Sequence, residues 1–389
     1  MTPQKLWILF FGRLDDEKWF GLILQVLRLF IKNHGGIPFQ FYVFGKWKYE
    51  KELLDLGQAY NCIHFFGRQS LETIKKYQDN CHFCLMPSTF LETFGLTALN
   101  ALSMWIPVVW FAKWWLTQFI PSKYDISQAK WDTDTDKLYN KLLEIIKSFN
   151  EWKIKPELEK KKALATAKNF TIEKRFENIQ PLIGKPKKIL LVSDFKSKLW
   201  WIETYLYDVS DILTSKGYEV QIFGTDIPWW KLWSYLKYFG IWLALCNWID
   251  AIRLKKVVRE FMPKVVRFNS TLRWLGRLPI RAIHDENIKK FMMYHDLGYF
   301  HPYPSQVTQE DMVKTPLTLG NFIKSANTKN PLKIITIIYK YRSVSLLKKQ
   351  LTKTIDTHLV PSQFMEKIVC DSYDLPSKKV KTLSHFIQK

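Results

Sequence analysis

Residues 6–30 read LWILFFGRLDDEKWFGLILQVLRLF, and the fold turns on how that stretch is divided. Residues 6–11 (LWILFF) form a short, unbroken apolar run and read as a buried strand. After a turn holding Gly12 and two acids, residues 17–33 read as an amphipathic helix. The alternation repeats downstream. Strands are expected at 39–44 (FQFYVF), 63–66 (IHFF), 82–86 and 107–111, and helices at 48–56, 71–80 and 95–103. Strands alternating with helices of this length predict a parallel α/β sheet. From 129 to about 180 the pattern is helical and rich in Lys and Glu.

Residues 181–188 (PLIGKPKK) have the composition of a linker, and beyond them the same rhythm restarts. A strand is expected at 189–193 (ILLVS), a helix at 203–217, and further strands at 218–223, 264–268, 290–294 and 358–361. The expected fold class is therefore α/β: two Rossmann-like domains with parallel sheets, over residues 1–182 and 188–389.

A chain of 389 residues, 47% hydrophobic and 24% charged, has ample material for two cores and does not read as disordered. The longest apolar stretch, 239–249 (FGIWLALCNWI), is too short to span a bilayer and reads as a buried helix face. No secretory signal is visible at the N-terminus, and five Cys without framework spacing fit a reducing cytosol. Cys81 and Cys84 have the spacing of half a zinc knuckle, but they lead into an apolar strand and have no second pair. They read as buried strand cysteines, and His64 and His82 read as ordinary polar-face residues.

The net charge of +22 favours polyanions. No Cys/His finger, aromatic RNP pattern or basic region followed by heptads accompanies it, so nucleic acid is not the expected partner. The lysines read first as solvated helix faces, and second as a surface for peripheral contact with an anionic membrane.

Two stretches carry chemistry. Gly12-Arg13-Leu14 follows the first strand, with Glu17-Lys18 opening the next helix. PSTFLETFGLTALN (87–100) is a strand end, a turn, then an acid and a Gly at a helix start. Amides at the start of a helix, here near Phe94, Gly95 and Leu96, attract phosphate. Arg13 and Lys18 stand at the end of a neighbouring strand, where open α/β sheets bind ligands.

In order and spacing, GRLDDEKW, FGKW, PSTFLETFGLTALN and WIPVVWFAKWW resemble the C-terminal domain of the family 4 retaining GT-B glycosyltransferases. That domain carries GR-L-x-x-E-K-G, F-G-x-G, P-S with E-x-F-G and a second Glu, and G-x-P-V-V. The resemblance covers about residues 6–180. ILLVSDFKSKLWWIETYLYDVSDILTSKGYEVQIFG (189–224), MMYHDLGYF (292–300) and LVPSQFMEKIV (359–369) are similar to the same family's N-terminal domain. The two domains thus stand in inverted order. Two transferases fused in tandem, with both outer halves missing, would leave this order; circular permutation is the other route. The second carboxylate of the E-x-F-G motif falls at position 100, which is Asn100, an amide able to bond a hydroxyl without charge.

The resemblance implies a glycosyltransferase that moves a sugar from a nucleotide-diphosphate sugar to a glycan or lipid-linked acceptor, with retention. It implies donor binding by Arg13, Lys18, Phe94, Gly95, Leu96, Asn100, Trp200 and Trp201, with Glu92 on the donor sugar and His295 near the anomeric carbon. It calls for no metal or cofactor. A cytoplasmic protein of envelope polysaccharide synthesis is expected, in peripheral contact with the inner membrane face. The alternatives are a non-catalytic remnant that binds nucleotide sugar only, and a sugar-nucleotide epimerase on the same fold.

One composition figure is out of line. The chain has 15 Gly beside 17 Trp, where roughly 27 Gly would be ordinary for its length. Against the family pattern, Trp19, Trp47, Trp105, Trp200 and Trp201 stand where Gly is usual, and Trp110, Trp114 and Trp115 where small residues are. The expectation is that many of these tryptophans stand in for glycine through a reassigned UGA codon; the alternative is drift in an inactive enzyme.

Overall fold

The computed structural model describes residues 5–16, 18–87, 94–111, 121–128, 133–185, 187–197, 201–225, 247–307 and 312–386. The chain divides into two compact units, residues 1–171 with 386–389, and residues 172–385.

The first unit runs β1 (Trp7–Phe11), α1 (Phe20–His34), β2 (Gln40–Phe44), α2 (Glu50–Ala59), β3 (Ile63–Phe65) and α3 (Leu71–Lys75). It continues with β4 (Phe83–Met86), α4 (Leu96–Ser103), β5 (Val108–Trp110), α5 (Asp134–Asn150) and α6 (Pro156–Ala167). All five strands are parallel, in the order β3-β2-β1-β4-β5, with Leu9 of β1 level with Tyr42 on one side and Cys84 on the other. Sheet faces covered on both sides require apolar strands, and β4 is buried at every position. α1 turns Phe20, Leu24, Leu27 and Phe30 inward, and Phe20 meets Phe10 edge-on at 4.9 Å. Each such side chain, fully buried, contributes roughly 1.5–3 kcal/mol.

The second unit runs α7 (Ile172–Ile183), β6 (Lys188–Phe195), α8 (Trp201–Ser215), β7 (Glu219–Thr225), α9 (Trp248–Phe261), β8 (Val265–Phe268) and α10 (Arg277–Ala282). Then follow β9 (Lys289–Met293), α11 (Leu319–Ser325), α12 (Pro331–Thr354), β10 (Thr357–Val360), α13 (Gln363–Tyr373) and β11 (Val380–Thr382). Its six parallel strands lie in the order β11-β10-β9-β8-β6-β7. Both sheets are therefore of the expected α/β class, and each reverses strand order once, between β1 and β4 and between β6 and β8.

Four sequence expectations are revised. Residues 181–188 are not all linker, because α7 runs through Pro181 to Ile183; the proline forfeits one N–H bond to the preceding turn, and the helix ends two residues later. α7 packs within the second unit, where Arg175 bonds the Ser384 carbonyl and Tyr218 bonds the Gly184 carbonyl at 3.2 Å. The helix expected at 71–80 stops at Lys75 and gives way to turns. His82 is not a polar-face residue: it is buried, accepts the Trp7 N–H at Nδ1 (3.0 Å), and burial with Lys160 nearby pushes it down to about 4. The apolar stretch 239–249 falls mostly outside the described residues, and its last members, Trp248 and Ile249, are exposed rather than buried. Among the described residues no helix is long and apolar enough to cross a membrane.

Candidate functional site

In an open parallel sheet, ligands bind beyond the strand C-termini where the strand order reverses. The first unit brings its motif residues to that place. β1 ends at Phe11, and Gly12 donates its N–H to the Phe44 carbonyl at 3.0 Å, while Leu14 does the same to Lys46. The two loops lie so close that a β-carbon on Gly45 would stand 2.1 Å from the Gly12 oxygen, so only glycine fits. Asp15 organises the turn, accepting the Lys18 N–H at 2.9 Å and pairing with the Arg13 guanidinium at 2.9 Å. The Arg13 side chain is still 48% exposed. This loop holds a cation at the rim and balances part of its charge.

Across the strand reversal, α4 begins at Leu96, and its N-cap Gly95, in the left-handed conformation (φ 81°), has no side chain to cap the first amides. Phe94 is buried against Phe170, edge-on at 6.0 Å, which fixes the entry to the helix. One turn further on, the Asn100 side-chain oxygen is buried and accepts no hydrogen bond among the described residues. A buried acceptor without a donor costs roughly 1–3 kcal/mol, and a ligand hydroxyl would recover it. Glu92, given to the donor sugar by sequence, lies outside the described residues, as does Trp200; Trp201 is the first residue of α8. A groove of about 480 Å³ opens elsewhere in this unit, beside Asp16, Trp19, Tyr49 and Asp134. Its two carboxylates suit it poorly to phosphate, and the motif geometry is the better guide.

In the second unit, His295 follows β9 and is 2% exposed. Its ring lies parallel to that of His385 at 5.2 Å and meets Tyr205 edge-on at 5.1 Å. Burial, then Arg267 and Arg175, hold His295 well below the ordinary histidine range, so it is a neutral imidazole. The sequence reading missed the rest of this cluster. Arg175 of α7 and Arg267 of β8 are buried, and both donate to the Tyr205 hydroxyl, Arg267 at 3.1 Å. Burial alone would push Tyr205 up, but the two guanidiniums outweigh it and hold the phenol below its ordinary range. Nearby, Asp194 at the end of β6 accepts the backbone N–H groups of Arg273 (3.1 Å), Trp274 (2.9 Å) and Leu275 (2.8 Å), fixing the loop after β8. Ser193 Oγ in β6 and Asn269 Oδ1 just after β8 are buried without a hydrogen-bond partner among the described residues. Ser193-Asp194 and Asn269-Ser270 stand at strand ends, a local feature that goes with a site of this kind.

Among the described residues no group of His, Cys, Asp and Glu has the makings of a metal site. Cys81 and Cys84 are buried, and desolvation raises both thiols, Cys81 to about 12, as expected of strand cysteines.

Several solved structures are similar to part of the chain. The pneumococcal O-GlcNAc transferase GtfA, in complex with UDP and GlcNAc, is 18% identical over 47% of this chain and 37% of that one (TM-score 0.38). TarM is 16% identical over 48% and 36% respectively, with a TM-score of 0.38. The catalytic domain of the Helicobacter pylori cholesterol-alpha-glucosyltransferase is 19% identical over 42% of this chain and 99% of that one, with a TM-score of 0.31. The chain spans little more than a third of the length of GtfA and TarM. No curated protein matches it. Residues 2–117, the segment that carries Arg13, Gly95 and Asn100, match the model of the family glycosyl transferases group 1.

Proposed function

We propose that the protein is a nucleotide-sugar glycosyltransferase of the family 4 retaining type, and that its first unit binds the donor. The observation that supports this most is the meeting of the GRL loop and the Gly95–Leu96 helix start at one strand reversal, within the segment that matches the family model. A diphosphate there would take ion-paired hydrogen bonds from Arg13 and Lys18 and further charge-assisted ones from the first amides of α4. Positive charge at that point stabilises the nucleotide diphosphate as it leaves, the main electrostatic task of the reaction. Asn100 Oδ1, buried and without a donor among the described residues, is suited to a ribose hydroxyl. Glu92 would hold hydroxyls of the donor sugar.

In this reading the first unit is the C-terminal-type domain and the second the N-terminal-type, acceptor-side domain, in inverted order. Trp200 and Trp201 stand where that domain has its glycine pair. Buried and neutral, His295 is suited to hydrogen bonding at the sugar rather than to carrying charge. The acceptor is a glycan or a lipid-linked sugar, and the net charge of +22 suits a cytoplasmic protein in peripheral contact with an anionic membrane. No cofactor is needed, since the cations supply the charge. Incubation with a panel of nucleotide-diphosphate sugars and lipid-linked or glycan acceptors tests it. Sugar transfer with retained anomeric configuration is expected. Donor binding without transfer would identify a remnant, and epimerisation without acceptor would replace the transferase reading.

A further inference from the structure

Seven described residues other than glycine adopt positive φ, and four of them are tryptophan: Trp19 (55°), Trp47 (131°), Trp105 (63°) and Trp152 (57°). Of the other three, Asn327 and Asp374 are of the types that tolerate this region through short polar side chains, and Met262 (51°) closes α9. Tryptophan has no such compensation, and its β-carbon meets the backbone clash that glycine avoids.

Two of the four sit at the end of a helix, and the hydrogen bonds there define the position. After α4, Trp105 N–H bonds the Leu102 carbonyl and Ile106 N–H bonds Ala101, both at 3.0 Å. After α5, Trp152 N–H bonds Phe149 at 3.1 Å and Lys153 N–H bonds Ser148 at 2.9 Å. This nested pair is the Schellman motif, whose central residue is left-handed and usually glycine. The same chain provides its own control. After α8, Gly217 (φ 85°) bonds Thr214 at 2.9 Å and Tyr218 bonds Leu213 at 3.1 Å, the same pair at the same offsets around a true glycine.

The side chains tell the same story from the other end. The indoles of Trp47, Trp105 and Trp152 are 66%, 41% and 61% exposed. Elsewhere the chain uses indoles as indoles. Trp7 packs on Tyr42 at 4.7 Å and stacks on His64 at 5.7 Å; Trp274 donates Nε1–H to the buried Asp250 at 2.9 Å. Trp110, a small-residue position in the sequence reading, is fully buried in β5 and has no positive φ. Among the described residues, Trp7, Trp110 and Trp274 thus have side chains that are used, whereas Trp47, Trp105 and Trp152 stand exposed at positions that demand a backbone glycine supplies.

We propose that the native protein carries glycine at positions 19, 47, 105 and 152, encoded by UGA, and that the cell of origin reads UGA as glycine. The deficit of glycine, 15 residues beside 17 Trp, has the sign this requires. Trp152 lies outside every motif of the transferase reading, so the inference stands whether or not that reading does.

Gene sequencing and peptide mass spectrometry of the protein purified from its own cells test this directly. The expected result is UGA codons and glycine-mass peptides at all four positions, with UGG and tryptophan mass at 7 and 274. UGG codons, or tryptophan mass at 105 and 152 from any codon, would overturn it. A second test compares the full chain carrying Trp with the same chain carrying Trp19→Gly, Trp47→Gly, Trp105→Gly and Trp152→Gly. The glycine chain should melt higher, by roughly 2–4 °C for each kcal/mol of strain relieved. Equal or lower melting would contradict the backbone argument.

Discussion

The two strand reversals share a topology and handle positive charge in opposite ways. At the reversal between β1 and β4, Arg13 is half-exposed, bonded to Asp15, and stands at the rim of the crevice. At the reversal between β6 and β8, Arg175 and Arg267 are buried, and they share the hydroxyl of Tyr205. A half-exposed cation in high dielectric adds little to folding and remains available to a ligand. A buried one must be satisfied from within, or the fold loses the desolvation energy it cost to bury it. The difference teaches that Arg13 is placed where the proposed donor would meet it, whereas Arg175 and Arg267 are held inside the architecture around His295.

The largest expected effect attacks the buried side of that contrast. Tyr205→Phe removes the shared acceptor and leaves two buried guanidiniums facing each other. It should destabilise the protein by about 1.5–3 kcal/mol for each of the two lost hydrogen bonds to a charged group, read in urea unfolding. Arg13→Ala, its counterpart at the exposed site, should cost no more than about 1 kcal/mol in the same assay. Comparable losses for the two variants would erase the distinction.

A pH titration of stability sharpens it further. His82 in the first unit is pushed down to about 4 and His358 in the second to about 3, in both cases by burial first. Each is neutral in the fold, while the unfolded chain takes up protons below about 6.5. Stability contributed by neutral burial is therefore full above pH 6.5 and is lost as pH falls toward the folded values. Urea unfolding between pH 7 and pH 4 should show stability falling by about 1–3 kcal/mol from His82 alone. His82→Asn should flatten part of that slope, and an unchanged slope would assign the acid sensitivity to the second unit.

An effect of similar size, on binding rather than folding, probes Asn100. Asn100→Glu should tighten binding of a nucleotide-diphosphate sugar by about 1–3 kcal/mol if a ribose hydroxyl meets that side chain, as judged by calorimetry. Weaker binding would mean that the pocket is shaped around the amide.

Both sheets were legible in the sequence because buried parallel strands are written as short apolar runs, LWILFF and ILLVS among them. The three residues of β11 were not, since VKT carries two exposed positions and pairs only along one edge. The rim of the first site was legible because Gly12-Arg13-Leu14 and Gly95 are local features of strand ends and a helix start. The cluster around His295 was not, because Arg175, Tyr205, Arg267 and His385 come from four separate segments and meet only through packing. A buried Arg within an apolar strand, VVRF, was its one local trace. Trp152 escaped for a different reason: nothing beside it in the sequence marks a helix end, and only the backbone shows what the position requires.

Donor binding by the first unit is the central claim, and calorimetric titration of nucleotide-diphosphate sugars into the full chain measures it most directly. The chain carrying glycine at 19, 47, 105 and 152 should be run beside the tryptophan chain, each with and without Arg13→Ala and Lys18→Ala together. The account predicts saturable binding that the double substitution largely abolishes, each lost charge-assisted bond costing about 1.5–3 kcal/mol. Unchanged affinity in the double variant, or no binding of any such sugar by either chain, would contradict it.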